Sequence, residues 1–221
     1  MDFRFSPELL LYIPVFLFSL TVHEFAHALT ARAAGDMTAA YRGRLTLNPI
    51  AHIDPIGTVV LPLLALFSGV PMIGWAKPVP VNELHFRRPI WTVWVALSGP
   101  LSNFFLAILF AGVLKLAVHA NLLSSLPESF LSILVTLVQT FIVLNVVLGM
   151  FNLLPIPPLD GSHIVYHFLI RGNERLWGLW MFLHQYGFLI LWVAILVPPV
   201  RALLASAYMV PIQFLLSWVQ M

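Results

Sequence analysis

Residues 9–31 read LLLYIPVFLFSLTVHEFAHALTA, an apolar run that contains one acid and two histidines. A membrane-spanning helix needs roughly 20 predominantly apolar residues, and an ionisable side chain inside one is costly and usually functional. This run is long enough to cross a membrane. It therefore predicts a helical membrane protein and indicates where the chemistry of that protein lies.

The composition of the whole chain agrees with this class. Of its 221 residues, 60% are hydrophobic and 9% are charged, whereas a soluble domain has about 25% charged residues. The net charge of +2 comes from 11 basic and 9 acidic residues, which are too few and too scattered for a phosphate-binding face, so no nucleic-acid partner is expected. The absence of cysteine excludes disulfides and thiolate metal sites.

Further apolar runs extend along the chain. Those without Asp, Glu, Lys or Arg are 55–76, 91–114, 129–159, 176–200 and 202–221. The polar segments between them are too short for a separate soluble domain. We therefore expect one membrane-embedded domain over 1–221, with a core at 9–161 and C-terminal helices at 176–221. The predicted fold class is an all-α polytopic membrane protein with five to six transmembrane helices.

The number of spans depends on residues 55–76. If every run crosses, the two sides of the membrane receive 6 and 5 basic residues, which is no bias. If 55–76 enters and leaves on one side, the cytoplasmic side holds 8 basic residues against 3. Pro62 and Pro71 also make this run a poor straight helix. We predict five spans, a re-entrant 55–76 and an N-terminus outside, with six spans as the alternative.

The five residues His23-Glu24-Phe25-Ala26-His27 have the spacing of a metal site. On a helix, His23 and His27 lie about 40° apart and one turn from each other, so both imidazoles can reach one ion. Glu24 borders the same face and suits a general base that takes a proton from a water molecule held by the metal. A chance cluster that neighbouring helices satisfy is the alternative.

A zinc site with two histidines needs a third protein ligand. Asp160 follows the Pro-rich segment 152–159, which cannot continue a helix and lies at the end of an apolar run. If that segment folds inward, the Asp160 carboxylate reaches the depth of Glu24 in the membrane. Taken alone, Asp160 reads equally well as a polar residue at a helix end.

Three motifs in this order resemble the site-2 proteases, which are intramembrane zinc metalloproteases. The motifs are His23-Glu24-x-x-His27, Ser98-Gly-Pro-Leu-Ser-Asn103 and Asn152-Leu-Leu-Pro-Ile-Pro-Pro-Leu-Asp160-Gly161. Segments 43–57 and 74–82 are similar to the compact bacterial and archaeal subgroup without a PDZ or CBS domain, and the chain has room for neither domain.

The resemblance implies roles for five residues. His23, His27 and Asp160 would bind one zinc ion per chain, and Glu24 would activate the water. Asn152 would donate a hydrogen bond to the scissile carbonyl as negative charge develops on it.

The resemblance also implies how substrates are met. Residues 40–56 would form a membrane-embedded, β-hairpin-like segment near the active site, and an exposed edge there would bind the substrate as an added strand. The partners would be transmembrane protein substrates and membrane lipid. The protein would lie in a prokaryotic cell (inner) membrane, with its active site toward the cytoplasm. The sequence leaves the oligomeric state open.

Other polar residues receive structural interpretations. His52 and Asp54 are expected to hold their loop, because Asp54 precedes a proline. His163 and His167 are expected at the membrane interface, and the small residues of 98–103 are expected to allow close helix packing.

The predicted function is intramembrane hydrolysis of peptide bonds within or near transmembrane segments, by a zinc metalloendopeptidase. A membrane transporter of protons or divalent metal ions is the alternative, because intramembrane His, Glu and Asp also suit that task. The absence of repeated halves counts against transport. A pseudoenzyme that binds helices without cutting them is a third reading.

Overall fold

The computed structural model of the chain describes residues 8–68 and 74–220. Its α-helices are α1 (Glu8–Ala34), α2 (Thr38–Tyr41), α3 (Leu61–Ser68), α4 (Trp91–His119), α5 (Glu128–Asn152), α6 (Asp160–Val165), α7 (Glu174–Leu196) and α8 (Pro198–Gln220). Pro55–Val60 and Tyr166–Ile170 are π-helical, and Pro49–His52 and Glu83–His85 are 3₁₀ turns. The predicted position of the N-terminus falls on residues 1–7, outside the described residues.

Five of these helices are long and apolar enough to cross a membrane. They are the Leu11–Ala34 part of α1 and the whole of α4, α5, α7 and α8. Large apolar side chains such as Phe105 and Leu116 lie on the outside of the bundle, 63% and 68% exposed. A bilayer covers such a surface, so the chain is an integral membrane protein and the prediction of an all-α polytopic fold is confirmed.

The re-entrant prediction for 55–76 agrees with the path of the chain. At 1.5 Å per residue the eight-residue α3 is about 12 Å long, less than half of a bilayer core. The amide of Trp75 donates to the carbonyl of Gly57 at 3.1 Å. The Thr58 hydroxyl donates to the Trp75 carbonyl at 2.8 Å. The segment therefore returns to where it began; residues 69–73, with Pro71, lie outside the described residues.

The β-hairpin-like arrangement expected over 40–56 is not observed, because the described residues there include no strand. Asp54 accepts hydrogen bonds from the amides of Ile56 and Gly57 at 3.0 and 2.8 Å. Asn48 accepts one from the Ile50 amide at 3.1 Å. These side chains take up backbone donors that a strand ladder would need, and so the segment is built from turns.

Helix α4 lies at the centre of the bundle and contacts α1, α5, α6 and α8. Its small residues Ala107 and Ala111 pack in one buried cluster with Ile142 and Val146 of α5 and Leu215 of α8. Small side chains let membrane helices approach closely, so this cluster fixes α4 against its neighbours. The site described below is built on the half of α4 that faces α1.

A buried carboxylate ties the end of α1 to the loop that precedes α4. Asp36 is fully buried and accepts hydrogen bonds from the Thr38 amide at 3.0 Å, the Asn82 amide at 2.7 Å and the His85 ring at 2.9 Å. Burial alone would raise the pKa of Asp36, but the hydrogen bonds from Asn82, Thr38 and His85 lower it from 3.8 to about 2. The segment around residue 82 is thereby held beside α1.

Candidate metal centre

The predicted metal ligands come together between α1, α4 and α6. The Nε2 atoms of His23 and His27 are 3.0 Å apart. The Asp160 carboxylate places one oxygen 3.1 Å from His23 Nε2 and the other 3.3 Å from His27 Nε2. All three side chains are mostly buried, with exposures of 5%, 10% and 19%. Long-range folding has thus joined a local helical motif to a residue 133 positions later in the chain.

Asp160 reaches this position because two glycines permit close backbone approaches. A Cβ atom at Gly161 would overlap the carbonyl of Leu153, so glycine allows the tight return of the chain from α5 into α6. A Cβ atom at Gly187 of α7 would overlap the carbonyl of Pro157. The segment that carries Asp160 is therefore packed tightly between the end of α5 and the middle of α7.

Helix α4 fixes the orientation of both imidazoles. Nδ1 of His23 lies 2.7 Å from Oδ1 of Asn103, and Nδ1 of His27 lies 2.7 Å from the carbonyl oxygen of Val95. Because these oxygens accept, each Nδ1 carries the hydrogen and each Nε2 presents a lone pair. Val95, Gly99 and Asn103 are four residues apart and form one stripe of α4 along the two histidines.

The Asn103 side chain is oriented in turn by a buried polar network. Its amide nitrogen donates to Oδ1 of Asn145 at 2.8 Å, and the Asn145 amide donates to the Ser19 hydroxyl at 2.9 Å. All three residues are fully buried. This network extends from α4 through α5 to α1 and fixes which atom of Asn103 faces His23.

The arrangement fits a divalent metal ion. Two imidazole lone pairs and a carboxylate converge, and Oδ2 of Asp160 is buried without a hydrogen-bond donor. A Cβ atom at Gly99 would overlap Nε2 of His27 and lie 2.6 Å from the His23 ring, so glycine leaves the space that an ion between these ligands requires. Two nitrogens and one oxygen are a ligand set typical of catalytic zinc sites.

Glu24 lies beside these ligands in a cavity of about 290 Å³. Its side chain is buried, and Oε2 accepts a hydrogen bond from the amide of Val79 at 2.7 Å. Val79 belongs to the stretch that returns from the re-entrant segment, and it lines the same cavity together with His27 and Asp160. A carboxylate is thereby held next to the candidate metal ligands without being one of them.

Asn152 lies apart from the cavity that holds Glu24. Its amide donates to the carbonyl of Leu148 in its own helix at 3.0 Å, and it is not among the residues that line the cavity of Glu24. Its predicted contact with a scissile carbonyl stays a prediction.

Sequence reasoning missed the role of Asn103, which had been interpreted only as part of a packing motif. The available signal was a single amide inside the uncharged run 91–114, together with Asn145, one of three amides inside 129–159. His52 and Asp54 hold their loop as expected: the His52 ring contacts the Thr46 carbonyl at 2.9 Å, and Asp54 accepts from two amides of the following turn.

Comparison with known proteins gives a consistent picture. A family model described as peptidase family M50 matches residues 11–193. The chain is similar to the candidate zinc metalloprotease YwhC of Bacillus subtilis, with 45% identity over 153 residues, which cover 66% of this chain and 64% of YwhC. It is also similar to the candidate zinc metalloprotease Rip2 of Mycolicibacterium smegmatis, with 34% identity over 192 residues, 86% of this chain and 68% of Rip2.

Rip2 of Mycobacterium tuberculosis is 36% identical over 150 residues, which cover 66% of this chain and 52% of that protein. The chain thus spans between about half and two thirds of the length of these relatives. No solved structure matches it significantly.

Proposed function

Since the chain belongs to peptidase family M50, we propose that it is an intramembrane zinc metalloendopeptidase that hydrolyses peptide bonds within or near transmembrane segments of membrane proteins. One observation carries this proposal: His23, His27 and Asp160 converge in a buried site on membrane helices, with the Glu24 carboxylate in the same cavity. The names of the similar proteins support zinc as the metal.

The proposed ligands are Nε2 of His23, Nε2 of His27 and the carboxylate of Asp160. Zinc held there would supply Lewis acidity toward the scissile carbonyl and toward a water molecule. Glu24 accepts the proton of the attacking water and later delivers it to the leaving amine. The hydrogen bond from the Val79 amide keeps the Glu24 side chain oriented in the cavity. We retain Asn152 as the proposed donor to the scissile carbonyl, a role that requires it to leave the Leu148 carbonyl.

The substrate must be extended where it is cut, because a transmembrane helix hides its amides in internal hydrogen bonds. The amides of Trp75, Lys77 and Val79 donate in turn to Gly57, His52 and Glu24. Such alternation is typical of an extended chain.

Val79 and Val81 both line the catalytic cavity. We therefore propose that this stretch, in place of 40–56, offers the backbone edge along which an unwound substrate lies.

The proposed location is a prokaryotic cell (inner) membrane with the site toward the cytoplasm. Arg32 near the end of α1 and Arg171 and Arg175 after α6 support this orientation, because cytoplasmic segments carry an excess of Lys and Arg.

The test is cleavage of single-span substrates by the purified protein in lipid bilayers. Glu24→Gln is expected to keep zinc and to reduce cleavage by at least about a hundredfold, because an amide cannot take a proton from water. Glu128→Gln, an exposed carboxylate at the start of α5, is the matched control and is expected to cleave normally. Full proteolysis by Glu24→Gln would refute the assigned base.

Removal of ligands separates the site from its surroundings. Asp160→Ala is expected to lose zinc and cleavage, whereas Asp54→Ala is expected to keep both, since Asp54 only caps a turn. Zinc retained by Asp160→Ala and lost by Asp54→Ala would place the metal at the loop. Zinc transport into vesicles without any cleavage by the wild type would favour the transporter alternative.

A further inference from the structure

A second groove, of about 870 Å³, lies beside the catalytic cavity along α7. Its floor is aromatic: the buried Trp180 of α7 lies 5.4 Å from the ring of Tyr166. Its inner end is formed by Glu83 and His163, whose side chains approach to 3.8 Å and which also line the cavity of Glu24. The groove and the catalytic cavity therefore share a wall and form one continuous surface.

The groove contains two polar side chains at the middle of a membrane-spanning helix. Gln185 lies eleven residues from each end of α7, or about 16 Å, which is the middle of a bilayer core. His184 precedes it, and both side chains are exposed. Within the described part of the chain neither has a hydrogen-bond partner for its polar atoms; His184 makes only a ring contact with Trp180. These polar atoms face a groove that continues the catalytic cavity, so they are placed to hydrogen-bond a polar group of a segment bound there.

Close to His184, helix α7 is firmly packed on the catalytic part. Gly187 lies against the carbonyl of Pro157, and the Phe188 ring packs edge-on against Trp75 at 5.5 Å. At 100° per residue, Gly187 and Phe188 lie within about 60° of His184, so the face of α7 that packs on the segment carrying Asp160 also borders the groove. A segment bound in the groove therefore lies next to the catalytic cavity.

We propose that this groove binds a transmembrane segment of the substrate, and that His184 and Gln185 hydrogen-bond to a polar side chain at the middle of that segment. The proposal rests on the proposed function and names its substrate class: single spans with Asn, Gln, Ser or Thr at mid-membrane depth. Three features fit this occupant: the aromatic floor, the polar pair at the middle of the span, and continuity with the catalytic cavity.

The test compares two single-span substrates that are identical except for Asn or Leu at mid-span, cleaved in nanodiscs of one lipid composition. Wild type is expected to cleave the Asn substrate about three- to tenfold faster, the range that interhelical hydrogen bonds in membranes supply. The double variant His184→Leu/Gln185→Leu is expected to cleave both substrates at the wild-type rate for the Leu substrate. Gln139→Leu removes an equally exposed amide from the middle of α5, outside the groove, and is expected to keep the preference.

Two further measurements keep the result interpretable. A short soluble peptide with no span is expected to be cut equally by wild type and the double variant, which shows that the catalytic site is intact. His184→Gln, which retains a hydrogen-bonding group, is expected to keep the preference for Asn. A preference that survives in the double variant, or a loss that Gln139→Leu shares, overturns the proposal.

Binding without turnover separates this proposal from the proposed function. In Glu24→Gln protein, a photoreactive crosslinker at residue 181 in the groove is expected to capture the Asn substrate more than the Leu substrate, even if no cleavage by the wild type is ever seen. Equal capture of both substrates overturns the proposal. Capture of a second, differently tagged copy of the chain in place of substrate also overturns it, because the groove would then be a dimer interface.

Discussion

On one side of this molecule, polar side chains of the membrane-spanning helices are buried and hydrogen-bonded, whereas on the other side two of them are exposed. On the α1–α4 side, Ser19, Asn103 and Asn145 are fully buried and hydrogen-bonded to one another. On the α7 side, His184 and Gln185 are exposed. In the most apolar 18-residue stretch of α1, 50% of the residues are buried. The corresponding fractions are 17% in α7 and 11% in α8.

The difference shows where the fold is closed and where it is open. A buried amide whose hydrogen bonds are all satisfied rigidifies its surroundings, and here it fixes the ring of His23, a candidate metal ligand. An exposed amide at the same depth has no such structural use. One side is therefore built to hold a geometry, and the other side is available for a partner in the membrane.

The largest effect is expected from filling the space beside His23 and His27. Gly99→Ala would place a methyl group over Nε2 of His27 and against the His23 ring, and these rings cannot turn away because α4 also holds their Nδ1 atoms. Alanine favours the helix by about 1 kcal/mol over glycine, so the fold should persist. We expect zinc binding to weaken more than about a hundredfold and cleavage to disappear, measured by zinc content and substrate turnover.

Gly112→Ala is the matched control on the same helix. A Cβ atom there meets only the Trp218 ring at 3.8 Å, an ordinary contact. It should bind zinc and cleave like wild type. Normal zinc content in Gly99→Ala would mean that the metal does not lie between the two histidines.

How far the sequence could predict this site follows from the range of each interaction. His23 and His27 are joined by helical geometry alone, so their spacing predicts their meeting. Asp160 depends on a proline-rich segment folding back, which the prolines allow and do not dictate. Asn103 is one amide in an apolar run, and its contact with His23 is fixed only when α1 packs on α4.

The remaining differences have the same cause. The β-like hairpin was expected from resemblance, whereas Asp54 and Asn48 cap turns with bonds that span two or three residues. Local side-chain bonds of this kind outweighed a weak strand pattern. The contrast between the buried Asn103 and the exposed Gln185 cannot be read from hydropathy, because both lie in equally uncharged runs.

A second prediction tests whether the buried network acts on the metal. Asn103→Ala removes the acceptor of the His23 Nδ1 hydrogen, so we expect zinc affinity to fall about 10- to 100-fold, the usual cost of losing such a partner. Asn145→Ala should cost less, because Asn145 contacts Asn103 and Ser19 but not the His23 ring itself. Competition with a zinc chelator measures both affinities.

The double variant tests whether Asn145 affects zinc affinity through Asn103. If the two residues act in series, Asn103→Ala/Asn145→Ala should bind zinc about as weakly as Asn103→Ala alone. Additive losses would contradict a series and indicate two separate structural effects. Gln139→Leu, an amide exposed to lipid on the same helix as Asn145, should leave zinc affinity unchanged.

The smallest effect on cleavage is expected at the strap that Asp36 forms between the C-terminal end of α1 and the loop before α4. Asp36→Asn weakens the hydrogen bonds to the amides of Thr38 and Asn82 and to the His85 ring, all of which lie outside the catalytic cavity. We expect cleavage to change less than about threefold, while the melting temperature at pH 7 falls by about 3–10 °C.

Because folding lowers the pKa of Asp36 from 3.8 to about 2, its stabilising contribution is complete above about pH 4 and is lost as the pH falls through this window. Thermal unfolding of metal-free protein in detergent from pH 6 to pH 2 should therefore show wild type and Asp36→Asn converging at the acid end. Glu174→Gln, an exposed carboxylate at the start of α7, should follow wild type throughout. Parallel curves for wild type and Asp36→Asn would show that the strap does not depend on the carboxylate's charge.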